Sequence, residues 1–136
     1  MADVLIVDDS ALLRRILKQM LSKDPGLNVI GCVESGEAAL QFLENTRVDV
    51  VTMDIHMPGM GGFDATRRIM ESPHPVPVVI ISSCWDPNEV EKTFKAMDAG
   101  AVAILPKPAD ISSGDDEYSA ELLKTINEAA VSKVGR

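Results

Sequence analysis

Five short aliphatic runs punctuate the chain: DVLIV (3–7), NVIGCV (28–33), DVVTM (49–53), PVVII (77–81) and AVAIL (101–105). Four are almost continuously apolar, as expected of strands covered on both faces in a parallel sheet. NVIGCV is weaker and suits an edge. Between the runs the apolar period changes to three and four. Leu12, Leu13, Ile16, Leu17, Met20 and Leu21 repeat as one helix face, with Arg14, Arg15, Lys18 and Gln19 on the other side. Residues 35–44 and 62–71 predict two shorter helices, and EYSAELLKTINEAAVSKV (117–134) a final one. DPNEVEKTFKAMDAG (86–100) carries its own end signals: Asp86 as cap, Pro87 in the first turn, Glu89 closing a capping box and Gly100 as terminator. Val90, Phe94 and Met97 of that segment are expected to face the sheet.

Strands alternating with helices imply right-handed crossovers and an α/β, doubly wound, five-stranded parallel sheet. Functional groups of such sheets gather beyond the carboxyl ends of the strands. The chain departs from economy at PADISSGDDEYS (108–119), a polar and turn-rich approach to the last helix.

The strand ends carry a coherent set of side chains. Asp8 and Asp9 follow the first run, Asp54 the third, Ser82 and Ser83 the fourth, and Lys107 the fifth. Taken singly, each has an ordinary explanation: Asp9, beside Ser10, competes as a helix cap, the serines as loop hydroxyls, Lys107 as a solvated charge. Together they place carboxylates, hydroxyl and ammonium at one sheet edge. Clustered carboxylates need a compensating cation, and Mg²⁺ suits one or two carboxylates plus water and a phosphate oxygen. A carboxylate can also act as a nucleophile toward phosphorus, giving an acyl phosphate. Asp54 is the best candidate for that step, because it stands singly on the central run ahead of the loop HMPGMGG (56–62). Glycines there let backbone N–H groups approach an incoming phosphoryl group.

Size and composition narrow the setting. A chain of 136 residues forms one domain with a core of its own, built mainly from aliphatics, since aromatics make up 4%. The net charge of −8 argues against gripping nucleic acid through phosphates. No apolar run approaches the ~20 residues of a membrane span. The N-terminal MADVLIVDD lacks the basic start of a signal peptide. Cys32 and Cys84 follow no metal-ligand spacing and are expected to be reduced thiols of a cytoplasmic protein, a cross-link being the minor alternative.

VLIVDDS, VDVVTMDIHMPGMGG, PVVIISS and GAVAILPKP, in that order, resemble the receiver domain of two-component response regulators. The resemblance runs over about residues 3–130 and implies a flavodoxin-like sheet of order 2-1-3-4-5. It implies that Asp54 accepts a phosphoryl group from a histidine kinase, and that Asp8, Asp9, Asp54 and the backbone carbonyl of His56 hold Mg²⁺ (or Mn²⁺). Lys107 would pair with the phosphoryl group, Ser82 and Ser83 would bind it, and the Lys107–Pro108 bond is typically cis in such domains. Trp85, Ile104 and Pro108 fall on the implied switch surface, which would involve helix 86–100, the fifth strand and the last helix. Trp85 reads as an anchor for its helix, with a lid or partner contact as the alternative.

SSCWDPNEVEKTFKAMDAGAVAILPKPADIS (82–112) looks like the receiver of chemotaxis protein-glutamate methylesterases. In those proteins a serine hydrolase domain follows; no G-x-S-x-G elbow occurs here, so esterase activity is expected to lie outside this chain. The expectation is a receiver over 1–131, with 132–136 a tail or the start of a linker to an absent output domain. The chain itself would catalyse only its own phosphorylation and dephosphorylation, while its parent is expected to be a methylesterase. Expected partners are a histidine kinase and an output domain or chemotaxis partner, with no nucleic acid and no membrane. A free-standing receiver and a phosphorylation-independent docking module are the alternatives. An Asp-nucleophile phosphohydrolase fits worse, because the residue two after Asp54 is His56 rather than a second Asp.

Two positions depart from the family pattern. Ile104 stands three residues before Lys107, where receivers often carry Tyr or Phe, and Gly61 replaces a common Asp. His56 is expected to offer its side chain to the rim rather than to a metal, and His74, between two prolines, reads as loop.

Overall fold

The computed structural model describes residues 1–82, 98–107 and 116–132. Ser83, Cys84, Trp85, Pro108 and residues 86–97 of the segment read as a helix, with Asp86, Pro87 and Glu89, lie outside the described residues, as does the Lys107–Pro108 bond; that segment's expected terminator Gly100 is described and has φ 113°.

The described elements are β1 (Ala2–Val7), α1 (Ala11–Leu21), β2 (Leu27–Val33), α2 (Gly36–Asn45), β3 (Val50–Asp54), α3 (Gly62–Glu71), β4 (Val78–Ser82), β5 (Ala103–Pro106) and α4 (Asp116–Ala130). All strand pairs are parallel, in the order β2-β1-β3-β4-β5. The implied order is therefore observed, and the weak run NVIGCV is the edge strand β2. Its pairing with β1 shifts by one residue between Val4 and Leu5, a bulge at the sheet's margin.

Strand alternation divides the core into two layers. Leu5, Val7, Val51, Met53, Val78 and Ile80 pack with Ala39 of α2 and with Ala65, Ile69 and Met70 of α3. Val4, Ile6, Val50, Val79, Ile81 and Leu105 pack on the other side with Ile16, Leu17, Met20 and Leu21 of α1 and with Leu122, Ile126 and Ala129 of α4. Both faces of β1, β3 and β4 are thus dry, which is why those runs are continuously apolar.

Helix α1 follows its predicted stripe with two differences. Leu12 is half exposed, while Leu13 beside it in the first turn packs against the core. The cap is Ser10, not Asp9: the Ser10 hydroxyl accepts the Leu13 N–H at 3.2 Å. Ser10→Ala is expected to cost about 1 kcal/mol of stability. Urea unfolding should show a lower midpoint with an unchanged slope; an unchanged midpoint would mean the cap contributes nothing.

Candidate functional site

Parallel strands leave their carboxyl ends at one edge, and the register determines what meets there. β1 ends at Val7, opposite Met53, so Asp8 emerges beside Asp54. β4 ends at Ser82, opposite Pro106, so Lys107 follows immediately beyond β5. Carboxylate oxygens of Asp8, Asp9 and Asp54 lie within 4.8 Å of one another. Asp8 and Asp54 are buried, whereas Asp9 is exposed.

Asp54 Oδ1 faces Lys107 Nζ at 3.1 Å and accepts the His56 backbone N–H at 3.3 Å. Its other oxygen, Oδ2, is buried and has no hydrogen-bond partner among the described residues. Burial pushes the Asp54 carboxyl up to about 6; the Asp8 charge adds to that rise and Lys107 opposes it. Asp8 is raised as well, mainly by burial, despite the Ser10 N–H bonded to its Oδ1 at 2.9 Å and the nearby Lys107. These carboxylates are short of positive charge. Three hard oxygen donors converge, one of them buried and unsatisfied, and that arrangement fits a small divalent cation.

The apolar period puts Arg14 on the polar side of α1. Instead it is half-buried, and its guanidinium donates to the Asp8 carbonyl oxygen at 2.6 Å. Tyr118, not singled out from the sequence, donates its hydroxyl to the Pro106 carbonyl at 2.6 Å. Nothing in either residue's local sequence announced these contacts; both cross between elements. The strand-end set itself is brought together as far as it is described, Ser82 closing β4 at the same edge. His56 is exposed at the rim, Ile104 is half-buried against the core, and His74 lies in an exposed loop. Cys32 is exposed and forms no disulfide among the described residues.

A cavity lined by described residues lies elsewhere. About 790 Å³ opens at the amino ends of β3 and β4, lined by Arg47, Val48, His74, Pro75, Val76 and Ala130 among others, and no residue of the acidic cluster borders it. The acidic edge is marked by its chemistry, two buried carboxylates and one exposed one gathered beside Lys107.

This chain belongs to the response regulator receiver domain family, whose model matches residues 4–118. Within the family it is similar to the receivers of protein-glutamate methylesterases. Protein-glutamate methylesterase/protein-glutamine glutaminase 4 of Geobacter metallireducens is 53% identical over 98% of this chain and 39% of its own length. Enzyme 1 of the same name from Syntrophus aciditrophicus is 43% identical over 100% of this chain, again 39% of its own length. The response regulator domain of Thermotoga maritima CheB superposes with a TM-score of 0.85 at 33% identity, covering 98% of each chain. The chain therefore spans about two fifths of the length of the curated relatives it matches.

Proposed function

We propose that this chain is a phosphorylation-controlled switch: a receiver whose Asp54 takes a phosphoryl group from a histidine kinase and alters a surface read by an output domain or chemotaxis partner. The observation that carries this reading is the Asp54 carboxylate, buried between Asp8 and Lys107 with one oxygen unsatisfied. In the transfer, an Asp54 carboxylate oxygen forms a bond to phosphorus while the phosphorus–nitrogen bond of the donor's phosphohistidine breaks. The leaving imidazole nitrogen takes up a proton, and Asp54 becomes an acyl phosphate. Asp8, Asp9, Asp54 and the His56 carbonyl would hold Mg²⁺ (or Mn²⁺), which when bound supplies neutralising charge to the phosphoryl oxygens. Lys107 stabilises the same oxygens, moving from a carboxylate partner to a phosphoryl partner. Ser82 and Ser83 add hydroxyls to that set.

The receiver is read as residues 1–131, with 132–136 leading toward an output domain. The similarity to methylesterase receivers supports a parent of that class, with the hydrolytic chemistry outside this chain. Trp85 and Pro108, with Ile104, are read as part of the responding surface. A cytoplasmic setting fits these partners, and no described helix is long and apolar enough to cross a membrane.

The decisive experiment is intact mass after incubation with acetyl phosphate, with and without Mg²⁺. A gain of one phosphoryl group that needs Mg²⁺ and vanishes in Asp54→Asn is the expected result. No adduct on a folded, Mg²⁺-binding protein would instead favour a docking module that works without phosphorylation.

A further inference from the structure

Receivers often report on their site through an aromatic ring three residues before the lysine, and here that residue is Ile104. The chain's one tyrosine is elsewhere, on α4, and it touches the same end of β5 from the other direction. The Tyr118 hydroxyl donates to the Pro106 carbonyl at 2.6 Å. Pro106 is the last residue of β5 and pairs with Ser82 of β4. The next residue is Lys107, whose ammonium lies 3.1 Å from Asp54 Oδ1.

Among the described residues β5 has a strand neighbour on one side only, so not all of its carbonyls are satisfied within the described sheet. Tyr118 supplies the partner for the one that matters to the site. That carbonyl belongs to the Pro106–Lys107 peptide, which is planar. Holding its oxygen holds the plane, and with it the direction in which the Lys107 stem leaves the strand.

We infer that Tyr118 is a positioning residue: through the Pro106 carbonyl it sets the stance of Lys107 at Asp54 and passes a change in that stance to the start of α4. This rests on Asp54 being the phosphoryl acceptor. When Lys107 turns from carboxylate to phosphoryl oxygen, its stem and the preceding peptide rotate, and the Tyr118 hydroxyl follows or lets go. The coupling is reciprocal, so removing the hydroxyl alters how readily Lys107 serves the site. The link takes the place of the absent ring at position 104.

The single tyrosine makes the test direct. With ¹³C-labelled tyrosine rings, the Tyr118 resonance is followed while Mg²⁺ and beryllofluoride are added, the tetrahedral fluoroberyllate standing in for a phosphoryl group. The ¹⁹F signal of bound fluoroberyllate reports occupancy separately. In parallel, phosphoryl uptake from acetyl phosphate is timed for Tyr118→Phe, which keeps the ring and loses the hydroxyl. The expected results are a shift of the tyrosine resonance in step with the bound ¹⁹F signal, and uptake slowed about fivefold, the worth of one ordinary hydrogen bond. Bound fluoroberyllate with an unmoved tyrosine resonance overturns the coupling. So does uptake at the wild-type rate in Tyr118→Phe, whether or not its unfolding midpoint falls, because a purely structural bond would lower only the midpoint. If wild-type protein shows neither bound ¹⁹F signal nor phosphoryl gain, the Asp54 reading itself fails and the coupling goes with it.

Discussion

Replacing Asp54 by Asn is expected to make the protein more stable, by about 2–3 kcal/mol above pH 7 in the presence of a chelator. In the folded chain the Asp54 carboxyl is held at about 6, against an ordinary value of 3.8. Well below pH 3.8 the group is protonated both folded and unfolded, and its ionisation contributes nothing. Between pH 4 and 6 the unfolded chain ionises freely while the folded chain resists, so wild-type stability falls as pH rises. Above the folded value the penalty is complete and levels off. Asn has nearly the same shape and no charge to bury, so its stability should lack this component. The check is urea unfolding of both proteins at pH 4, 6 and 8 with chelator: the gap should be small at pH 4 and full by pH 8. A gap that does not grow with pH, or an Asn variant less stable at pH 8, would show that burial of this carboxylate is not costly. Under the proposed function this cost has a use, since a bound cation would relieve the unsatisfied buried carboxylate.

Gly62→Ala should be the most damaging single-methyl change in the site's support. Gly62 opens α3, and its N–H donates to the Ile55 carbonyl at 3.0 Å, folding the loop back under the end of β3. A Cβ at this position would fall on the Asp54 carbonyl oxygen and lie 2.9 Å from Ile55 Cα. Both obstacles are backbone of a central strand end, so neither can rotate away as a flexible side chain would. The helix must move off the strand or the Asp54 backbone must shift, at a cost of about 3 kcal/mol or more. Denaturant unfolding measures that loss. Under strongly native conditions the folded fraction should also take up phosphoryl groups more slowly, because Asp54 sits on the displaced segment. Wild-type stability in Gly62→Ala would mean that α3 can ride outward freely and that this close approach is dispensable.

The strands, most of the helix faces and the residues that stand at strand ends are legible in the local pattern of apolar and polar positions. Those follow from local rules: a doubly covered strand must be apolar throughout, a helix must be apolar at three and four, and parallel strands end on one edge. Asp8, Asp9, Asp54 and Lys107 are therefore grouped by the strand pattern alone, and the weakness of NVIGCV suits an edge. The choice between Ser10 and Asp9 as cap lay beyond that reading, because both are good caps in adjacent positions. Only the fold settled it, by turning Asp8 and Asp9 toward Asp54 and leaving the Ser10 hydroxyl to accept the Leu13 N–H. Arg14 on the Asp8 carbonyl and Tyr118 on that of Pro106 were likewise hidden. A backbone carbonyl is the same in every residue, so no pattern of side chains can say which one a distant donor will find. Tertiary structure decided those contacts by fixing where each helix starts relative to the strand ends. It also decided the unequal burial of the carboxylates, Asp8 and Asp54 inside and Asp9 outside, from which the raised Asp54 value follows.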